Sequence, residues 1–129
     1  MTDKHYVFRS RFEQQLAKQL EAKKIDYRYE EDMIRYTKPI TPSRYTPDFV
    51  LPNGIIIEAK GLFIASDRKK HLLVKEQYPH LDIRFVFQRA NNRLSKTSKT
   101  TYADWATKNG FLWADSSIPD AWLTTTTTT

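Results

Sequence analysis

Hydrophobic and polar positions along the chain change period several times, and each change marks an element. In the segment SRFEQQLAKQLEAKK, Phe12, Leu16 and Leu20 recur every four residues, which predicts one narrow apolar stripe on a helix of about 14 residues. Ser10 is placed to cap it, and Lys23 and Lys24 suit the negative end of its dipole. IDYRYEE then alternates Ile25, Tyr27 and Tyr29, the period of a strand. YTKPITPSRY follows, with Pro39 and Pro42 close together. That spacing forbids a helix and disfavours a central strand, so residues 37–45 read as an extended connector. RYTPDFVLPNGIIIEAKG reads as a hairpin of apolar and β-branched residues around a Pro-Asn-Gly turn.

Beyond the hairpin, Ser66 or Asp67 is expected to cap a helix through RKKHLLVKEQY, which Pro79 stops. DIRFVFQ is strongly β-prone and reads as a strand buried on both faces. Strand, helix, strand in that order implies a parallel right-handed crossover. The loop RANNRLSKTSKT leads to a third helix, TYADWATKN, ended by Gly110. FLWAD suits a short edge strand and IPDAWL a single helical turn. No internal repeat or linker divides the chain, so residues 1–123 form one domain in this reading. Residues 124–129, all threonine, have nothing to bury and read as a frayed tail.

Register decides which side chains of the hairpin meet. Pro52 suits the second position of a type I turn, and Gly54 can take the left-handed conformation after it, which makes a three-residue loop closed by a bulge. Leu51 then pairs with Ile55, and Asp48 falls opposite Glu58. A two-residue Asn-Gly loop would slip the register by one and send the two acids to opposite faces. The three-residue loop is favoured because of Pro52. It presents Asp48, Glu58 and Lys60 from one face, and two facing carboxylates destabilise a sheet unless something neutralises them. Lys60 can do part of this as a salt-bridge cluster. A hard divalent cation such as Mg²⁺ or Mn²⁺ is the other solution, since oxygen donors suit it and the histidines at 5, 71 and 80 have no metal-ligand spacing. Glu13 has a sufficient local reason of its own, because Ser10 three residues earlier completes an S-x-x-E capping box.

Composition narrows the partners. The 129 residues are 40% hydrophobic and 28% charged, a globular balance. No apolar run approaches the roughly 20 residues that span a bilayer, and MTDKHYVFRS lacks the apolar core of a secretion signal. There is no cysteine, which excludes disulfides and thiolate zinc sites and makes the cytoplasm the expected compartment. The net charge of +6 favours polyanionic partners, DNA or RNA first. Its distribution says more than its size: Arg84, Arg89, Arg93, Lys96 and Lys99 follow one another without an intervening acid, and Arg68, Lys69, Lys70 and His71 open the second helix. A solvated basic face would look the same.

Pro47-Asp48, nine residues, then Glu58-Ala59-Lys60 resembles the PD-(D/E)xK signature of metal-dependent nucleases. The likeness extends further. FRSRFEQQL, YTPDFVLPNGIIIEAKGL, DRKKHLLVKEQYPHLDIRFVF and IPDAW resemble the endonuclease I family of T-odd phages, which resolves Holliday junctions, from about Phe8 to Trp122, nearly the whole ordered chain. The resemblance implies an α/β fold with a restriction-endonuclease-like core, a central mixed sheet flanked by helices, in a domain-swapped homodimer. Residues 37–45 stand where the extended bridge between its halves belongs. It also implies active sites shared between chains, with Glu13 from one subunit and Asp48, Glu58 and Lys60 from the other.

By the same resemblance, two Mg²⁺ or Mn²⁺ ions would serve each site. Asp48 would bridge them, Glu58 and the Ala59 carbonyl would hold one, and Glu13 the other. Lys60 would orient or deprotonate the water, or stabilise the phosphorane, and cleavage would leave 5′-phosphate and 3′-hydroxyl ends. Arg44, Arg68, Lys69, Lys70, Arg89, Arg93, Lys96 and Lys99 are the candidates for phosphate contact, chosen by charge and position, with junctions recognised by shape rather than base sequence. The chain departs from the family pattern in a short, mildly basic arm before Phe8 and in threonines where a lysine-rich tail is usual; both departures imply weaker non-specific DNA affinity. Two other readings remain: a PD-(D/E)xK nuclease with a different DNA substrate, and a non-catalytic DNA-architectural dimer whose acids only form salt bridges.

Overall fold

A computed structural model describes residues 6–38 and 42–124. Five strands form a mixed sheet in the order β1 (Arg28–Tyr29), β4 (Phe49–Val50), β5 (Ile56–Lys60), β6 (Ile83–Phe87), β7 (Leu112–Asp115). The β1–β4 and β4–β5 pairs are antiparallel, whereas β5–β6 and β6–β7 are parallel. Helices α1 (Arg11–Ala22), α2 (Ala65–Gln77) and α3 (Tyr102–Lys108) flank the sheet, and a 3₁₀ turn spans Asp120–Trp122. Strand alternation divides the core in two. Ile57, Ala59 and Val86 pack with Phe12, Leu16 and Leu20 of α1, while Ile56, Ile83, Phe85 and Phe87 pack with Val74 of α2 and Trp105 of α3. This α/β arrangement, with a mixed central sheet between helices, agrees with the expected fold class at that level.

Helix α1 begins as its sequence implies: the Ser10 side chain accepts from Glu13 N at 3.0 Å. It ends in a Schellman motif, with Lys24 left-handed at φ 56° and Ile25 N donating to Leu20 O at 2.9 Å. Strand β1 is shorter than the tyrosine alternation suggests because Glu30, at φ 51°, turns the chain out of the extended region. Helix α2 starts two or three residues earlier than expected. Its N-cap is Ile64, without a capping side chain, so neither Ser66 nor Asp67 is the cap. Both lie in the first turn, where the Asp67 carboxylate still favours the positive end of the dipole. Helix α3 carries a full capping box between Thr101 and Asp104, and Gly110 takes φ 80° just past its end.

The proline-containing stretch is extended in both arms, and the arms pair with each other. Strands β2 (Ile34–Thr37) and β3 (Pro42–Tyr45) form a separate antiparallel ladder, Ile34 opposite Tyr45 and Thr37 opposite Pro42. Neither joins the central sheet, in keeping with the two prolines. Thr37 N donates to Gln77 Oε1 at 2.7 Å, fastening the ladder to the end of α2. Residues 39–41 of the expected bridge, and 125–129 of the threonine tail, lie outside the described residues. Thr124 is described, and its hydroxyl donates to Ala121 O. Among the described residues no helix is long and apolar enough to cross a membrane.

Candidate active site

The hairpin takes the three-residue loop that Pro52 implies. Gly54 adopts φ 90°, Gly54 N donates to Leu51 O at 2.9 Å, and Leu51 N donates to Ile55 O at 2.9 Å. Phe49 pairs with Ile57 and Val50 with Ile56, so the same register carries Asp48 to Glu58. The two side chains are laced to each other's backbone. Asp48 N donates to Glu58 Oε2 at 3.0 Å, and Ala59 N donates to Asp48 Oδ2 at 2.9 Å.

Glu58 is 2% exposed, an unusual place for a carboxylate. The Tyr45 hydroxyl donates to its Oε2 at 2.8 Å. Its Oε1 lies 3.7 Å from Lys60 Nζ and 3.7 Å from His71 Nε2. Lys60 is shared, with Asp67 Oδ2 at 3.9 Å on its other side. Burial pushes the Glu58 carboxyl above its usual range, against the pull of Lys60. Asp48 is pushed well above its range by burial and then by the charge on Glu58, with Lys60 and the Ala59 N–H opposing. Burial also raises the Tyr45 phenol well above 10, which keeps it protonated and able to donate. It lowers His71 well below 6.5, so that imidazole is neutral.

Glu13 reaches the same place from α1. Its carboxylate does not close the expected capping box onto Ser10 N. Oε1 instead accepts from Arg9 N at 3.2 Å and from the Tyr29 hydroxyl, which turns it towards the sheet. One carboxylate oxygen each from Glu13, Glu30 and Asp48 lie within 4.8 Å of one another. Glu30 was not singled out in the sequence. It is one acid in the run YEED, and only its left-handed backbone and the bond from Glu30 N to Asp48 O at 3.2 Å bring it to the cluster. Arg9 Nε pairs with Glu30 Oε1 at 3.1 Å. Tyr45 has no signal in the sequence beyond an aromatic at an apolar position, and His71, which the sequence groups with the basic cluster opening α2, is instead buried and neutral beside Glu58.

Glu13, Glu30, Asp48, Glu58 and Lys60 line one cleft of about 380 Å³, with Arg9, Arg44, Thr46, Ala59, Asp67 and Lys70 around them. All four expected catalytic residues, and Ala59, therefore meet within a single chain. A group of hard oxygen donors with no sulfur or imidazole among them fits Mg²⁺ or Mn²⁺, and the buried carboxylates need a positive charge that Lys60 alone supplies only in part.

The expected phosphate contacts separate into three groups. Arg44 and Lys70 border the cleft, with Lys70 Nζ 6.0 Å above the Tyr45 ring. Arg68 spends a guanidinium N–H on Phe63 O at 2.6 Å and braces the loop ahead of α2, while Lys69 lines a neighbouring depression with Tyr36 and Lys38. Arg89, Arg93, Lys96 and Lys99 are exposed on the loop before α3. That loop is ordered by Leu94 N donating to Thr100 O and Tyr102 N to Asn92 O.

Comparison with known proteins gives a consistent result. The family model for phage endonuclease I matches residues 1–129. Endonuclease I of Escherichia phage T7 is 49% identical over 117 residues, covering 91% of this chain and 78% of that protein. Endodeoxyribonuclease 1 of Enterobacteria phage T3 is 53% identical over 115 residues, covering 89% of this chain and 76% of that protein.

Proposed function

Because the chain belongs to the phage endonuclease I family, we propose that it is a metal-dependent DNA endonuclease of PD-(D/E)xK type that resolves four-way junctions by paired nicks. The observation that carries this reading is the convergence of Glu13, Asp48, Glu58 and Lys60 on one cleft beside Arg44 and Lys70. A buried group of carboxylates has little structural merit unless it holds a cation.

Glu13, Asp48 and Glu58 would hold the divalent ions, with the Ala59 carbonyl, and Glu30 would add a further oxygen. When bound, two such ions supply charge neutralisation at phosphorus and an activated water. The chain's own groups do the rest. Lys60 stands where an ammonium can orient the water or balance the charge that builds on the phosphoryl oxygens. Water adds to phosphorus, the bond to the 3′ oxygen breaks, and that oxygen takes a proton, leaving 5′-phosphate and 3′-hydroxyl ends. Arg44 and Lys70 at the cleft, with Arg89, Arg93, Lys96 and Lys99 on the loop, would hold the phosphates of the arms, which selects shape and not sequence.

The functional unit in this proposal is a swapped homodimer. Pairing of residues 34–37 with 42–45 can be made between two chains as well as within one, and exchange between these two segments would carry α1, with Glu13, into the partner's site. The contacts around the cleft would be unchanged.

The decisive assay is cleavage of a synthetic four-way junction with and without Mg²⁺, comparing wild type with Glu58→Ala. Metal-dependent paired nicks are expected, abolished in the variant while junction binding survives. Binding without cleavage in either protein would overturn the enzyme and favour an architectural dimer, and equal cutting of linear duplex would overturn the junction preference.

A further inference from the structure

Helix α2 buries two residues against the sheet, and one of them is His71. It is 0% exposed, and neither ring nitrogen has a hydrogen-bond partner. Core positions on a helix are ordinarily filled by apolar residues, and a leucine would continue the buried stripe with Val74 without leaving polar atoms unsatisfied. The ring is gripped edge-on by three aromatics: Phe85 at 4.9 Å, Tyr45 at 5.3 Å and Phe111 at 6.5 Å between centroids. Its nearest acidic group among the described residues is Glu58, whose Oε1 lies 3.7 Å from Nε2. Tyr45, which touches the imidazole, donates to the other oxygen of the same carboxylate.

We propose that His71 is a positioning residue for Glu58, its Nε2 facing Oε1 at 3.7 Å, a polar contact longer than a direct hydrogen bond, while the Tyr45 hydroxyl holds Oε2, so that the two fix the carboxylate within the cleft. The proposal rests on the reading of Glu58 as a metal-holding residue. The imidazole is fully buried and would act on the ions only through Glu58. Its value is orientation: partners behind a ligand typically change metal affinity or activity 10–100-fold when removed. An uncharged donor suits this place, because a second cation beside Lys60 would compete with the divalent ions for the same charge. The polar atoms buried in an otherwise aromatic pocket are the structural trace of that role.

The test compares His71→Leu, which keeps the packing and removes the donor, with His71→Gln, whose amide N–H can stand where Nε2–H stood. Five quantities are read: the melting temperature, Mn²⁺ affinity by calorimetry, kcat and KM on a four-way junction, and the Glu58 side-chain carboxyl ¹³C resonance without metal. His71→Leu is expected to melt no lower than wild type and to keep its KM. It should lose about tenfold or more in Mn²⁺ affinity and kcat, and shift the Glu58 resonance. His71→Gln should recover most of each. Wild-type Mn²⁺ affinity and an unmoved Glu58 resonance in His71→Leu would overturn the proposal. So would losses that follow a lowered melting temperature and are not regained with glutamine. The resonance is read without metal or DNA, so a wild type that fails to bind Mn²⁺ or cleave would refute the proposed function while the positioning of Glu58 was still decided.

Discussion

Asp48 and Glu58 face each other across two strands, both partly or wholly out of water and both with carboxyls raised by that burial. The consequence for stability has a definite sign. Below the ordinary carboxyl value of about 4 the folded and unfolded chains are both protonated, and the site carries no penalty. As pH rises the unfolded chain ionises freely while the folded one must keep a proton or bury a charge, so stability falls through the raised folded values. In Asp48→Asn this loss is reduced at its source, and the amide oxygen can still accept from Ala59 N. Without metal at pH 8 the variant is expected to be more stable than wild type by about 1–3 kcal/mol, in urea unfolding. The gain should shrink towards pH 4, and Mg²⁺ should narrow it by stabilising wild type alone. His71 acts in the opposite sense, since its lowered value costs stability as pH falls below about 6.5. That contribution is common to both proteins and cancels in the comparison. A variant less stable than wild type at pH 8 would remove the argument that the acids are held at a cost.

At the scale of elements, the turn of the β4–β5 hairpin sets the site. Gly54 at φ 90° closes the three-residue loop, and an added Cβ there would meet nothing within 4 Å. The strain of Gly54→Ala is therefore conformational and not a clash, about 1–2 kcal/mol for an L-residue held in the left-handed region. A matching drop in unfolding free energy is expected with junction cleavage retained, because the remaining ladder still opposes Asp48 to Glu58. Loss of cleavage in a folded Gly54→Ala protein would show instead that the loop alone maintains the register. The same scale explains the role of α1. The Ser10 cap and the buried stripe of Phe12, Leu16 and Leu20 fix the helix against the sheet, which aims Glu13 at the strand ends. The cap is made by the Glu13 N–H to Ser10, which leaves its carboxylate to face the cleft.

For the whole molecule, the question is which chain supplies Glu13 in solution. The β2–β3 ladder joins the part of the chain that holds α1 and β1 to the part that holds Asp48, Glu58 and Lys60. In the proposed swapped dimer, mixing Glu13→Ala chains with Glu58→Ala chains during refolding gives a heterodimer with one doubly altered site and one intact site. Metal-dependent nicking of one strand of the junction is the expected result. Without exchange every site carries one substitution, and the mixture should be as inactive as either variant alone. That result would confine the site to one chain and would leave the chemistry of Glu13 untouched.

Much of this is legible in the sequence. Helix α1, the hairpin and its register, the buried strand β6 and the third helix follow from periodicity, turn residues and caps, because these are set by neighbours a few positions apart. Asp48 opposite Glu58 follows from Pro52 and Gly54 alone. Glu13 was visible only as a helix-capping residue or through family resemblance. Tertiary structure decided what contacts distant in sequence decide. It turned the Glu13 carboxylate from Ser10 towards Tyr29 and brought Glu30 into the cluster through a left-handed backbone. It paired the two arms of the proline-containing connector, and it set Tyr45 and His71 about one carboxylate. Local pattern records which face a residue takes; which residue from another element meets it there depends on how the faces pack.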